Sequence, residues 1–343
     1  GYYRRLVMPV NIHIAIDAMS GDFGPRSAML AAQKSLLARP NLHLTLVGDV
    51  SILSLYPSHS RIQLIPASSV VAMDDKPAYA LRHCRNSSMA IALQQVANKQ
   101  AAACVSAGNT GAMVALACHL LKRLPGISRP AICKLLPSVS KPSLILDLGA
   151  TTQATPEQLL QFAALGSAFY QAVFARTRPD VRVALLNIGA ESTKGLEHIR
   201  AAAKLLSGSE GFDYQGYVEA DQLFEGVAEV IVCDGFAGNI ALKACEGTAR
   251  YILAVANRTM RESLWARLQA VFALPLLSRW RHCFAPDSYN GASLLGLRGI
   301  VVKSHGGAGV DAMCSAIEVA YEQVECKLLE KIENQLLVIN NGV

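Results

Sequence analysis

The feature of this sequence that most limits its fold is an end-to-end alternation of short apolar runs with longer helical ones, joined by small polar or glycine-rich turns. Asn11–Asp17, Leu42–Gly48, Arg61–Pro66, Ala102–Ser106, Ser143–Gly149, Val181–Asn187, Tyr214–Glu219 and Glu229–Cys233 read as strands. Pro25–Ala38, Ser88–Asn98, Thr110–Lys122, Pro156–Val173, Lys194–Leu206, Asn239–Val255 and Asp311–Leu337 read as helices. This rhythm predicts an α/β fold, a parallel-rich sheet sandwiched by helices. Apolar residues make up 52% of the 343 positions and charged residues 17%, with few aromatics. That balance suits strands buried on both faces.

Five strands end in turns that feed directly into helices: Asp17–Pro25 (DAMSGDFGP), Ser106–Ala112 (SAGNTGA), Asn187–Gly195 (NIGAESTKG), Asp234–Asn239 (DGFAGN) and Lys303–Gly309 (KSHGGAG). In a wholly parallel sheet all five lie on one edge, at the carboxyl ends of the strands, where open α/β sheets bind ligands. Glycines let backbone amides approach a ligand, and helix N-termini favour anions, so an anion-binding cleft is expected there. There is no G-x-x-x-x-G-K-[ST], no G-x-G-x-x-G after the first strand and no G-x-S-x-G elbow. Neither H-E-x-x-H nor paired cysteines occur, so neither metal nor cofactor is expected. Nine cysteines without a C-x-x-C pair fit buried, reduced side chains and a cytoplasmic setting.

The runs IAIDAMSGDFGP, SAGNTGA, LDLGA, LLNIGAESTKG, VCDGFAGNIALKACEG, YNGASLLGLRG and VVKSHG carry a family resemblance. In order and spacing, over Asn11 to Ala320, the chain resembles the bacterial phosphate acyltransferases of phospholipid synthesis. The resemblance implies a Rossmann-like fold of the isopropylmalate dehydrogenase and phosphotransacetylase type. It also implies conversion of acyl-(acyl carrier protein) and inorganic phosphate into acyl phosphate, a homodimer, and association with the membrane surface. Ser20, Thr151, Ala190 and Ala237 stand where the family usually has Gly, Asn, Glu and Thr. Most of these changes trim polar capacity at the expected cleft.

Acyl transfer to phosphate requires orientation of a dianion and stabilisation of a tetrahedral oxyanion. A pantetheine thiol, with a pKa of about 8.5 by analogy with cysteine, leaves with little acid help. Ser106, Gly108, Asn109, Thr110 and Gly111 are the first candidates for a phosphate cradle, against plain helix capping by Ser and Asn. Lys194 is a catalytic candidate or a solvated charge. Asp234 positions the phosphate network or the thiol and Asn239 donates to the oxyanion, or else Asp234 ends a strand and Asn239 caps a helix. Lys243, one turn beyond Asn239, reaches the same face or pairs with Glu246. His305, titrating near neutral pH, protonates the thiolate or holds phosphate. Asp17 and Asp22 orient cationic or amide groups, or cap the helix at Pro25. Gly21, Asn187, Gly189, Gly235, Gly238, Ser304 and Gly306 complete the substrate-facing turns.

Residues 1–7 read as an N-terminal extension and 8–343 as a single domain, with a helical protrusion at 256–285. Within it Arg258 to His282 reads as two short basic amphipathic helices bent at Pro275. This segment is expected at an anionic membrane surface (258–284), on the acidic acyl carrier protein, or at the dimer interface. The net charge of +6 is modest and no recognition motif occurs, so no nucleic acid partner is expected.

Overall fold

The computed structural model describes residues 11–174, 181–260, 291–307 and 309–340. Strands β1 (Ile12–Asp17), β2 (Leu42–Gly48), β3 (Ile62–Pro66), β4 (Ala103–Ser106), β5 (Ala131–Leu136), β6 (Ser143–Leu146), β7 (Arg182–Leu186), β8 (Asp213–Val218), β9 (Val230–Val232), β10 (Ala292–Leu295) and β11 (Ile300–Lys303) share one sheet. Their order is β3-β2-β1-β4-β11-β10-β5-β6-β9-β7-β8. The helices are α1 (Gly24–Ala38), α2 (Val50–Leu53), α3 (Pro77–His83), α4 (Ser88–Ala97), α5 (Thr110–Leu121), α6 (Pro156–Phe174), α7 (Glu197–Ser207), α8 (Gly235–Thr259), α9 (Val310–Glu325) and α10 (Leu328–Asn340). The α/β, mostly parallel architecture expected from the sequence is present.

The sheet is not wholly parallel, and this corrects the placement of the turns. β10 pairs antiparallel with both β11 and β5, and β5 pairs antiparallel with β6. Every other pairing is parallel. Hence β3, β2, β1, β4 and β11 run one way, while β6, β9, β7 and β8 run the other. The turns after β1, β4 and β11 share one edge; those after β6, β7 and β9 lie on the opposite edge.

Alternate strand residues enter different cores, as a pleated strand buried on both faces requires. Ile14, Ile16, Leu44 and Val302 pack with Met29 of α1 and with Met313 and Tyr321 of α9. Ala15 and Val301 face Leu93 of α4 and Met113 of α5, in a layer that Ile145 and Ile231 extend towards Leu242 and Cys245 of α8. Leu144, Leu146 and Val230 turn to the opposite face, against Phe162 and Leu165 of α6.

Several boundaries move for local reasons. The expected Lys194–Leu206 helix begins at Glu197, because Gly195 takes φ +88° and a side chain there would collide with Asn187. α8 begins at Gly235 under an Asp234 cap, so Asn239 lies inside the helix and does not cap it. The long C-terminal helix is divided into α9 and α10 at Lys327, whose φ is +54°. β5, β10, α2 and α3 are short elements the pattern did not reveal. No described helix is long and apolar enough to cross a membrane. Residues 1–7 and nearly all of the expected 256–285 protrusion lie outside the described residues; α8 carries its first residues as far as Thr259.

Candidate active site

From β1 the chain winds outward to β3 and then returns to lay β4 on the other side of β1. β1 and β4 are therefore a topological switch point, the place where open α/β sheets form a crevice beyond their carboxyl ends. Asp17 ends β1 there and Ser106 ends β4. Asp17, fully buried, accepts hydrogen bonds from the hydroxyls of Ser20 and of Ser106, the latter at 2.7 Å. Ser106 Oγ in turn accepts from the Gly108 amide at 3.1 Å. The Ser20 hydroxyl thus adds a second bond to Asp17.

The β11 turn closes on the other two. The Ser304 amide donates to Ser106 O at 2.8 Å, and the Asp22 amide to Gly306 O at 2.9 Å. Gly21, at φ +89°, has no room for a Cβ, which would sit 3.0 Å from Ala107 Cβ and 3.1 Å from Gly306 O. Asn109 caps α5 by accepting from the Ala112 amide at 3.1 Å. Its own amide donates to the carbonyls of Ala72, Met73 and Asp75. Asn109 therefore fastens the 72–75 loop as well as the helix. Thr110 and Gly111 form the first turn of α5, where amides have no intrahelical acceptor.

Charge reaches this edge from three elements. Lys303 ends β11, and its ammonium donates to the Ser304 carbonyl. Burial pulls its pKa down to about 8, helped by Lys243 and opposed by Asp17. α8 starts on the far edge but brings Lys243 and Glu246 back to the β11 end. Glu246 pairs with Lys134 of β5 at 3.3 Å and lies 3.9 Å from His305 Nε2. Glu246 therefore does not serve as the partner of Lys243. Burial holds the His305 pKa below its ordinary value; Glu246 acts against this, while Lys243, Lys303 and Lys134 push the same way. Lys134 and His305 thus approach one carboxylate, Glu246, while Lys243 and Lys303 lie near enough to His305 to influence it and Asp17 acts on Lys303.

Asn187, Gly189, Lys194, Asp234, Gly235, Gly238 and Asn239 are not at this edge. The turns that hold Asn187, Gly189, Lys194 and Asp234 follow β7 and β9, and Gly235, Gly238 and Asn239 lie in the first turns of α8. The Asn187 and Asp234 side chains are engaged locally. Asn187 closes its own turn by donating to Gly189 O and Lys194 O. Asp234 Oδ1 accepts from the Ala237 amide, and its Oδ2 lies 3.3 Å from His198 Nε2. The amides of Gly235 and Phe236 donate to Thr151 O and Thr152 O. The N-terminal donors of α8 are therefore occupied. Gly238 packs so closely that a Cβ would strike Asp147 O. Lys194 is exposed, and exposed Asn239 lies beside Gly149.

Sequence reasoning gave no role to Lys303, Lys134 or His198, and cast Glu246 only as a surface partner. One signal was legible: Lys134 interrupts the apolar run AICKLL, and a lysine buried in a strand needs a partner. Among the described residues, no group of three or more His, Cys, Asp and Glu side chains is placed to hold a metal.

Solved structures with this fold include the EutD phosphotransacetylase from Staphylococcus aureus, at 18% identity and a TM-score of 0.57 over 91% of this chain and 94% of that one. A branched-chain phosphotransacylase from Enterococcus faecalis V583 superposes with a TM-score of 0.57 at 13% identity, over 91% of this chain and 99% of that one. These likenesses establish the fold. Residues 12–331 match the family model described as fatty acid synthesis protein. The phosphate acyltransferase of Saccharophagus degradans is 44% identical over 96% of this chain and 97% of its own length. That of Stutzerimonas stutzeri is 48% identical over 94% and 92%. With such identity sustained along nearly its whole length, this chain belongs to the phosphate acyltransferase family and is an acyltransferase.

Proposed function

We propose that this chain moves a long-chain fatty acyl group from the thioester of an acyl carrier protein to inorganic phosphate, releasing acyl phosphate for phospholipid synthesis. The observation that carries the reading is the gathering of Lys243, Lys303 and His305 at the switch-point edge, with Glu246 set between Lys134 and His305.

Lys243 and Lys303 neutralise the hydrogen phosphate dianion, and a bound dianion raises the lowered pKa of Lys303 back towards full protonation. One phosphate oxygen bonds to the thioester carbon, giving a tetrahedral oxyanion that the cations and nearby amides stabilise. Collapse breaks the C–S bond. His305, neutral at pH 7, takes the proton of the phosphate hydroxyl and passes it to the departing thiolate. Ser106, Ser304 and the first turn of α5 border the phosphate, while Asp17 orients the hydroxyls. The second cluster, at Asp234 and Asn187, braces the start of α8 so that Lys243 arrives in place.

The test is thiol release from a palmitoyl carrier-protein thioester, followed as phosphate is varied, with acyl phosphate trapped by hydroxylamine. Release that ignores phosphate defeats the proposal. Faster turnover of acetyl-coenzyme A would reassign the substrate.

A homodimer formed along α8 is part of the reading, supported by Phe236, Tyr251 and Val255, which are 63%, 70% and 44% exposed. Sedimentation velocity tests it, a monomer at micromolar concentration counting against it. Residues 258–284 are proposed to meet anionic lipid; liposome sedimentation that ignores lipid charge removes that part.

A further inference from the structure

A cavity of about 480 Å³ lies between α8, the end of β5 and the turn at 220–224. Its lining is almost wholly apolar: Leu136, Leu223, Phe224, Leu242, Ala249 and Ile252 supply much of the wall. The polar exceptions include Lys134 and Glu246, the pair whose carboxylate also faces His305. The cavity and the cation cluster thus share a rim. α8 makes this possible through its period. Asn239, Lys243 and Glu246 form one stripe of the helix, while Leu242, Cys245, Ala249 and Ile252 form the adjacent stripe. The cavity follows α8 from Ala241 to Ile252, about 16 Å at the rise of an α-helix.

We infer that this cavity receives the hydrocarbon tail of the acyl donor, with the thioester carbon at the Lys134–Glu246 rim. The inference rests on the acyl-transfer reading above and adds the location and limit of the chain. The volume lies within the range of small-molecule pockets, and an apolar wall closed by an ion pair suits a long chain ending in one polar carbonyl. A short acyl group leaves most of the wall unfilled. Each methylene buried is worth about a fourfold gain in kcat/KM until the cavity is full.

The experiment compares hexanoyl to stearoyl carrier-protein thioesters on the full chain and on Ala249→Phe, which fills the middle of the cavity. The ratio of palmitoyl to hexanoyl kcat/KM is expected to fall at least tenfold in the variant. An unchanged ratio overturns the inference. So does a variant that becomes monomeric with its ratio intact, which gives the cavity to a second copy of the chain. Alkylation of Cys245, which lines the cavity, supplies a readout independent of turnover. With no phosphate present, the palmitoyl thioester is expected to slow modification of Cys245 at least fivefold, and the hexanoyl thioester much less. Equal protection by both overturns the tail site. Protection without any phosphate-dependent transfer keeps the tail site and defeats only the acyl-transfer reading.

Discussion

His305 Nε2 lies 3.9 Å from Glu246 Oε2, joining the end of β11 to the middle of α8. Glu246 acts to raise the pKa of His305, whereas burial and three lysines lower it. Removing the carboxylate leaves only the lowering influences. In Glu246→Gln the His305 imidazole is therefore expected to titrate at lower pH than in the parent chain. The Cε1–H resonance followed by NMR reads this directly, with His305→Ala identifying the signal. A midpoint that stays fixed or moves upward contradicts the arrangement.

Lys303 is predicted to be useful and destabilising at once. Its folded-state pKa is lowered from 10.5 to about 8, with burial the main cause. Below about pH 8 both folded and unfolded chains hold the proton, and the folded state bears the full desolvation cost. Between about 8 and 10.5 the unfolded chain binds more protons, so stability rises with pH; above that range the cost is gone. Lys303→Met should therefore be more stable than the parent at pH 7 by on the order of 1–3 kcal/mol in urea unfolding. The difference should shrink as the pH approaches 10. The same variant should raise the KM for phosphate at least tenfold. A variant that loses stability at pH 7 counts against a net desolvation cost at this ammonium.

The turns, most strands and the helix that delivers Lys243 were legible because apolar runs and glycine-rich strand ends are local signals. The direction of the sheet was not. A strand buried on both faces has the same composition whichever way it runs, so nothing in ASLL or AICKLL reveals that β10 and β5 reverse the sheet. That reversal divides the five turns between two edges. It also explains why Lys303 and Lys134 escaped notice. Lys134 meets Glu246 between β5 and α8, and Lys303 of β11 lies near Lys243 of α8, and no spacing along the chain encodes either approach. Asn109 shows a subtler limit: its cap was readable, but its hold on the 72–75 carbonyls was not.

Lys194 and Lys243 both stood out in glycine-rich sequence, and the geometry separates them. Lys194 is exposed on the edge beyond β7, while Lys243 lies close enough to Lys303 and His305 to affect their titration. Lys243→Ala is expected to raise the KM for phosphate about tenfold, the loss of roughly 1.4 kcal/mol of binding. Lys194→Ala should change it less than twofold. Steady-state kinetics at varied phosphate, with acyl donor saturating, compares them. A larger effect at Lys194 would move the phosphate to the opposite edge.

Asn109 offers a test in which two conservative readings give opposite orders. As a helix cap alone, Asp serves as well as Asn and far better than Ala. Here Oδ1 caps α5 while Nδ2 donates to Ala72 O, Met73 O and Asp75 O at 3.2, 3.0 and 2.8 Å. Asn109→Asp keeps the cap but sets a carboxylate oxygen against three carbonyl oxygens in a site only 9% exposed. Asn109→Ala removes the cap, yet leaves those carbonyls free to meet water. Ala is expected to cost about 1–2 kcal/mol, and Asp to cost more than Ala, because a buried carboxylate oxygen facing three carbonyls is the heavier penalty. Urea unfolding at pH 7 gives the order. Proteolysis within 72–75 should rise in the Asp variant first. If Asp proves neutral, the loop is held by something other than Asn109, and its amide is free to contact phosphate.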